Sequence, residues 1–181
     1  GGEMSTLGLN EILSAIDKAK DNDKIKGMYI DCGIVSADHA TLQEIRSKLL
    51  EFKAAKKWIV AYSDVYIQGA YYLASVADKV YINPQGRLDW HGVGSQPIFY
   101  KNLLEKLGVK FTIVKVGTYK SATETFTEER MSDANREQVS VYVNGLWDNV
   151  VAGVSASRKL SKEVLNEYAD VVDLAKFTVI N

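Results

Sequence analysis

Residues 58–82, WIVAYSDVYIQGAYYLASVADKVYI, open on a short apolar run (58–62), pass through a stretch of helical character (69–76) and close on a second apolar run (79–82) halted by Asn83-Pro84. Short apolar runs bounded by turn residues have the length and content of buried strands. A strand, a helix and a strand in immediate succession make a crossover unit, and crossovers join parallel neighbours. The alternation extends both ways. Upstream, residues 25–31 (IKGMYID) form another strand, broken at Cys32-Gly33. Before it, Leu9, Ile12, Leu13, Ile16 and Ala19 fall at helical spacing with Asp17, Lys18 and Lys20 between them, and Asp21-Asn22-Asp23 ends that helix. Thr41 with Glu44 reads as a capping box opening a helix whose buried face is Leu42, Ile45, Leu49 and Phe52. Downstream, the pattern predicts an amphipathic helix over 97–107, a strand over 110–116 (KFTIVKV), and a long helix from about Asp133 toward Ser157, capped by Ser132. A last helix is capped by Ser161 and runs through Tyr168. The fold class is α/β, with a mainly parallel sheet flanked by helices. With no internal repeat, low-complexity tract or linker, residues 1–181 read as a single domain.

The 181 residues carry 22 Lys+Arg against 23 Asp+Glu and are 46% hydrophobic. Domains of this size bury roughly 68–70% of the surface of the unfolded chain, so neither a disulfide nor a metal is needed for stability. The single Cys32 has no nearby Cys or His to complete a metal site. A net charge of −1 argues against nucleic-acid binding, which calls for a strongly basic face. No window approaches the ~20 apolar residues of a membrane span, and Gly1-Gly2-Glu3 does not begin a signal peptide. The chain lacks an initiator Met and stops at Val179-Ile180-Asn181 without a polar tail; both ends look cut, as expected for a piece of a longer protein.

Few residues announce chemistry. His39 and His91, the two histidines, stand outside any His-Glu-x-x-His or Ser-His-Asp-like local pattern and read as structural or solvated. Gly92-Val93-Gly94 lacks the third glycine and the strand-to-helix setting of a dinucleotide fingerprint, and no Walker-type lysine follows a glycine, so no cofactor is expected. Cys32 has no adjacent base or helix start to activate it. Lys120 follows a strand and a glycine, which places it at the mouth of the sheet, where α/β proteins bind ligands. A lysine acts as a general base only where desolvation lowers its pKa toward neutrality, and a crevice at strand ends is such a place. Taken alone, it reads as a solvated surface residue, because burying an ammonium is expensive. Tyr62, Tyr66, Tyr71, Tyr72, Trp58 and Trp90 either line an apolar groove or pack the core, and packing is the commoner use. Trp147, among Val143, Leu146 and Val150, reads as helix packing or a subunit contact.

Gly117-Thr118-Tyr119-Lys120-Ser121-Ala122, continued by Thr125-Phe126, Met131-Ser132 and Arg136-Glu137, resembles the lysine segment of the signal peptide peptidase A family, also called protease IV. Tyr62-Ser63-Asp64, then Gln68-Gly69-Ala70-Tyr71-Tyr72-Leu73-Ala74-Ser75, then Ala77-Asp78-Lys79-Val80-Tyr81-Ile82-Asn83-Pro84-Gln85-Gly86, resemble the same family in the same order. The resemblance is to the amino-terminal half of its long, two-domain form.

It implies a ClpP/crotonase-like fold in a membrane-anchored bacterial serine peptidase, active on the extracytoplasmic side, that degrades signal peptides once they are released. It implies amide hydrolysis by a Ser/Lys dyad in which the amino-terminal half gives the lysine and the carboxy-terminal half the serine. Lys120 matches the lysine, which takes the proton of the nucleophilic hydroxyl and returns it to the leaving amine. In Ile67-Gln68-Gly69-Ala70-Tyr71-Tyr72 the residue at the serine position is Gln68, and an amide is not a nucleophile. Asp31-Cys32-Gly33-Ile34-Val35 stands where the serine-bearing half has a Pro-Gly-Gly turn, without the paired glycines of an oxyanion hole. The chain is therefore expected to carry half a dyad and to be inactive alone. The resemblance further implies peptide partners, a homo-oligomeric ring that brings lysine and serine halves together, and membrane attachment through a segment outside this chain. The alternative is a degenerate crotonase-like scaffold and oligomerisation domain with Lys120 a bystander. An acyl-thioester enzyme would need oxyanion donors and a basic nucleotide contact, neither of which is visible.

Overall fold

Strands β1 (Gly27–Asp31), β2 (Trp58–Tyr66) and β3 (Lys79–Leu88) pair in parallel in the order β1-β2-β3. Helix α2 (His39–Ala54) connects the first pair and α3 (Gln68–Ala74) the second. Tyr29 lies opposite Val60, and Tyr62 opposite Tyr81. These features come from a computed structural model that describes residues 7–32, 35, 37–112 and 121–171. The chain divides into two compact units, one of Gly1–Gly92 with Val150–Asn181 and one of Val93–Asn149.

In the first unit, helix α1 (Leu9–Asp21) follows the predicted apolar spacing, with the Glu11 carboxylate accepting the Gly8 N–H at 3.0 Å. The predicted face of α2, Leu42, Ile45, Leu49 and Phe52, is buried. Its cap differs from expectation. Asp38 begins the helix, its carboxylate accepting the Thr41 N–H at 2.7 Å, so Thr41 is a first-turn residue and not the cap. Aspartate caps at least as well as threonine, and it stands three residues earlier, which moves the start of the helix. Along β2 the buried residues are Ile59, Ala61, Ser63 and Tyr66, while Trp58, Asp64 and Val65 are exposed.

Strand β3 does not stop at Asn83-Pro84. Ser63 pairs with Ile82 and Val65 with Arg87, so Asp64 alone faces residues 83–86. The excursion takes Pro84, which has no N–H to give, out of the ladder, and the strand resumes beyond it. The Asp64 carboxylate accepts from Tyr62 Oη at 2.8 Å and from Asn83 Nδ2 at 2.9 Å, pinning the bulge. Gly86 is required there, because a Cβ would lie 2.2 Å from the Asp64 carbonyl oxygen.

Helix α3 is buried from Ala70 to Ala74. Against this unit's core lie Val150, Val151 and Val154 of α6 (Asp133–Arg158) and Leu165 of α7 (Lys162–Val171), whose carbonyl accepts Trp90 Nε1–H at 2.9 Å. Ser161 caps α7 as predicted, its hydroxyl accepting the Val164 N–H at 3.3 Å. Arg46 is buried at 4% exposure and donates to the carbonyls of Tyr72 and Gly153 and to the hydroxyls of Ser75 (2.8 Å) and Ser157 (2.6 Å). Its guanidinium also lies 4.5 Å from the centre of the Tyr72 ring.

In the second unit, α4 (Lys101–Lys106) occupies only part of the predicted 97–107 helix, and α5 (Glu124–Thr127) is a single turn. Residues 110–112 carry no strand, and the rest of the predicted 110–116 strand lies outside the described residues. Phe111, Phe126 and Tyr100 stack, with centroids 5.3 and 6.1 Å apart. Ser132 caps α6 as predicted, accepting the Asn135 N–H at 3.2 Å. Buried Glu124 holds that cap in turn, accepting from Ser132 Oγ at 2.6 Å and Asn135 Nδ2 at 2.9 Å.

Candidate functional site

The carboxyl ends of the three strands lie side by side, where parallel α/β sheets bind ligands. From β1 comes Cys32, whose N–H donates to the Tyr62 carbonyl at 3.2 Å. Beyond β2 the chain enters α3, with Ile67 at the cap position and Gln68 as the first helical residue. After β3 come Asp89, Trp90, His91 and Gly92, and the Asp89 N–H donates to the Tyr66 carbonyl at 2.7 Å.

Gln68 spans the gap between these last two segments. Its Oε1 accepts the N–H groups of Gly92 (3.0 Å) and His91 (3.3 Å), and its Nε2 donates to the Gly92 carbonyl at 3.2 Å. The residue at the serine position of the resemblance is thus a carboxamide committed to the backbone on both its acceptor and its donor side. Cys32 is equally withdrawn from chemistry. Burial, with the charge of Asp31 adding to it, pushes its thiol up to about 12, so it stays protonated at neutral pH.

The aromatic residues divide. Tyr66, Tyr71, Tyr72 and Trp90 are buried, and edge-to-face contacts join Tyr66 to Tyr71 and Tyr71 to Trp90 at 6.1 and 5.7 Å. They are core, not groove, and burial pushes the phenols of all three tyrosines up. Tyr62 is half-buried and Trp58 is 52% exposed. His39 stacks on Tyr72 at 6.1 Å, and His91 Nδ1 lies 3.7 Å from the Asp89 carboxylate.

Lys120 lies outside the described residues, as do Gly33 and Ile34 of the turn after β1. The structure therefore brings together Cys32, Gln68 and the 89–92 segment at the strand ends. A surface hollow of about 620 Å³ lies elsewhere, lined by α1 and α2 residues including Asn10, Asp17, Lys18 and Lys48. It is bordered by the partly exposed ion pairs of Lys20 and Lys48 with Asp17 and Glu51. Among the described residues no group of three His, Cys, Asp or Glu side chains is placed to hold a metal, and no helix is long and apolar enough to cross a membrane.

Sequence reading missed the grip of Gln68 on His91 and Gly92, which joins residues more than twenty apart through a side chain and leaves no periodic trace. It also missed Arg46, whose one signal is a basic residue beside the apolar Ile45 within the buried stripe of α2.

Residues 51–177 match peptidase family S49. The chain is 41% identical over 158 residues to Protease 4 of Salmonella typhi, covering 87% of this chain and 26% of that protein. It is 39% identical over 154 residues to Protease 4 of Haemophilus influenzae, covering 84% and 25%. The chloroplastic serine protease SPPA of Arabidopsis thaliana is 29% identical over 163 residues, covering 90% and 24%. The chain thus spans about a quarter of the length of these curated relatives.

Proposed function

Because the chain belongs to peptidase family S49, whose fold is ClpP-like, we propose that it is the lysine-bearing amino-terminal domain of a longer serine peptidase that degrades released signal peptides at a bacterial membrane. Lys120 is the general base of a Ser/Lys dyad, and the serine belongs to a carboxy-terminal half outside this chain. The observation that carries this reading is Gln68. Where the resemblance puts the nucleophile stands a side chain that cannot attack a carbonyl, with its amide committed to backbone groups, which supports a contribution to hydrolysis from another residue of this domain. The buried Cys32, held protonated, is likewise withdrawn from nucleophilic chemistry.

In this mechanism a lysine whose pKa is lowered by desolvation takes the serine proton as the tetrahedral intermediate forms and delivers it to the leaving amine. Assembly into a homo-oligomer brings the base to the serine of the other half and excludes water from the crevice. Steady-state peptide turnover by the full-length Lys120→Arg variant tests this. A guanidinium stays protonated and cannot accept the serine proton, so turnover is expected to fall at least ~100-fold, the lower range for losing a general base. Turnover near wild type refutes the role of Lys120.

A specific observation favours a second reading, in which the domain is a scaffold. The Val93–Asn149 unit exposes Ile98, Leu103, Leu107, Val109, Val141 and Tyr142, apolar side chains of the kind that assembly would cover. The same Lys120→Arg measurement separates the two readings.

A further inference from the structure

The geometry points to Gln68 as a positioning residue for peptide binding, its carboxamide replacing a backbone rung and fixing the chain after β3 beside the carboxyl ends of the strands; this rests on the peptidase reading above. Backbone pairing of β2 with β3 reaches the Asp89 N–H on the Tyr66 carbonyl, and then β2 turns away into α3 at Ile67. A carboxamide offers the same acceptor and donor as a peptide group. Gln68 uses both, accepting from His91 and Gly92 and donating to Gly92, so the ladder continues past the point where the β2 main chain has left it. All three bonds agree on one orientation of the amide.

What is held in this way is the end of the segment, past the anchored Asp89 and Trp90. Gly92 sits at φ +85°, in the left-handed region, and among the described residues a Cβ there would meet nothing within 4 Å, so the packing that anchors Trp90 is not continued by a side chain at this position. A peptide lying against an unfixed glycine turn would have to order it on binding, and that ordering weakens affinity. Holding the turn beforehand lowers KM and leaves the chemical step alone. A serine at this position is two bonds shorter and cannot make the same span. The residue that removes the nucleophile from this half therefore also shapes the half that remains.

Hydrogen exchange on this chain and peptide kinetics on the full-length peptidase test the inference. In Gln68→Ala, the His91 and Gly92 amides should exchange ~10-fold faster, as expected for losing hydrogen bonds of ordinary net strength, while the Ile59 and Ala61 amides in the middle of β2 keep their wild-type rates. KM should rise ~5- to 10-fold, with kcat within ~2-fold of wild type. Gln68→Glu keeps an acceptor for both N–H groups and should restore most of the protection and of the affinity, which also covers the case of an alanine variant that folds poorly. Unchanged exchange at His91 and Gly92 in the alanine variant overturns the inference, and so does faster exchange with unchanged KM. A fall in kcat at constant KM overturns it as well. Retention of turnover by Lys120→Arg is a separate result, which refutes the proposed base while leaving the KM comparison at Gln68 fully readable.

Discussion

Replacing Arg46 with methionine should destabilise the first unit by about 3 kcal/mol. The guanidinium is 4% exposed and donates to four neutral acceptors on two elements: Tyr72 and Ser75 at the end of α3, and Gly153 and Ser157 on α6. Hydrogen bonds involving a charged group contribute about 1.5–3 kcal/mol each, but the sum overstates the loss, because burying the cation carries an opposing desolvation cost. That cost is visible in the Arg46 pKa, which burial lowers. The Tyr72 carbonyl also keeps the Ser75 hydroxyl at 2.9 Å. What remains is the loss of donors at the two α6 acceptors, the contact with the Tyr72 ring, and a void at the head of the side chain. Against a typical total stability of about 5–15 kcal/mol this is a large fraction. With a urea slope of about 2 kcal/mol per M, the unfolding midpoint should fall by about 1.5 M. Arg46→Lys should be nearly as damaging, since a compact ammonium cannot fork between α3 and α6. Gly153→Ala provides an independent check, because its Cβ would lie 2.8 Å from Tyr72 Cε2 and 3.2 Å from Arg46 Nε. It should cost about 1–3 kcal/mol alone, and less in the Arg46→Met background where the space has been vacated. A midpoint shift below about 0.3 M for Arg46→Met would refute the staple, as would strict additivity of the two substitutions.

Two further outcomes follow from the titrating groups. The Cys32 thiol, raised to about 12 by burial, should resist a thiol-reactive probe at pH 8 in the folded chain and react stoichiometrically in denaturant; labelling of the native chain at the rate of a free thiol would contradict its burial. Asp38, held below the usual carboxylate range by the Thr41 N–H, should contribute stability that is present above an unfolded pKa of ~3.9 and lost as pH falls through its lower folded value. The gap in melting temperature between wild type and Asp38→Ala should therefore be open at pH 7 and closed near pH 2, and a gap independent of pH would show that the carboxylate is not the cap.

The parallel sheet and the buried stripe of α2 were legible because each is written in local periodicity: short apolar runs for β1, β2 and β3, and Leu42, Ile45, Leu49 and Phe52 for the helix. The misread boundaries share a cause. Asn83-Pro84 carries a true turn signal, but Asp64, Tyr62 and Gly86 accommodate the turn as a bulge and the strand continues. Asp38 outcompeted Thr41 by position, although both are good caps. Arg46 carried no local signal beyond its place beside Ile45, since its burial is set by neighbours distant in sequence, and its acceptors on α6 lie more than a hundred residues away.

Gln68 shows most clearly what a sequence conceals at a site. Read as a letter, glutamine at the serine position reports only a loss, because the one chemical property compared is nucleophilicity. Read as a shape, it has the reach and the paired donor and acceptor of a peptide group, and it stands where β2 leaves the sheet while the chain after β3 still has N–H and C=O groups to satisfy. A hydrophobic residue there would forfeit those bonds, and a serine would not span the distance. The demand for a partner at His91 and Gly92 is thus a reason for glutamine in particular that does not depend on catalysis, and it predicts that only side chains with the reach of glutamine can replace it without loosening the turn.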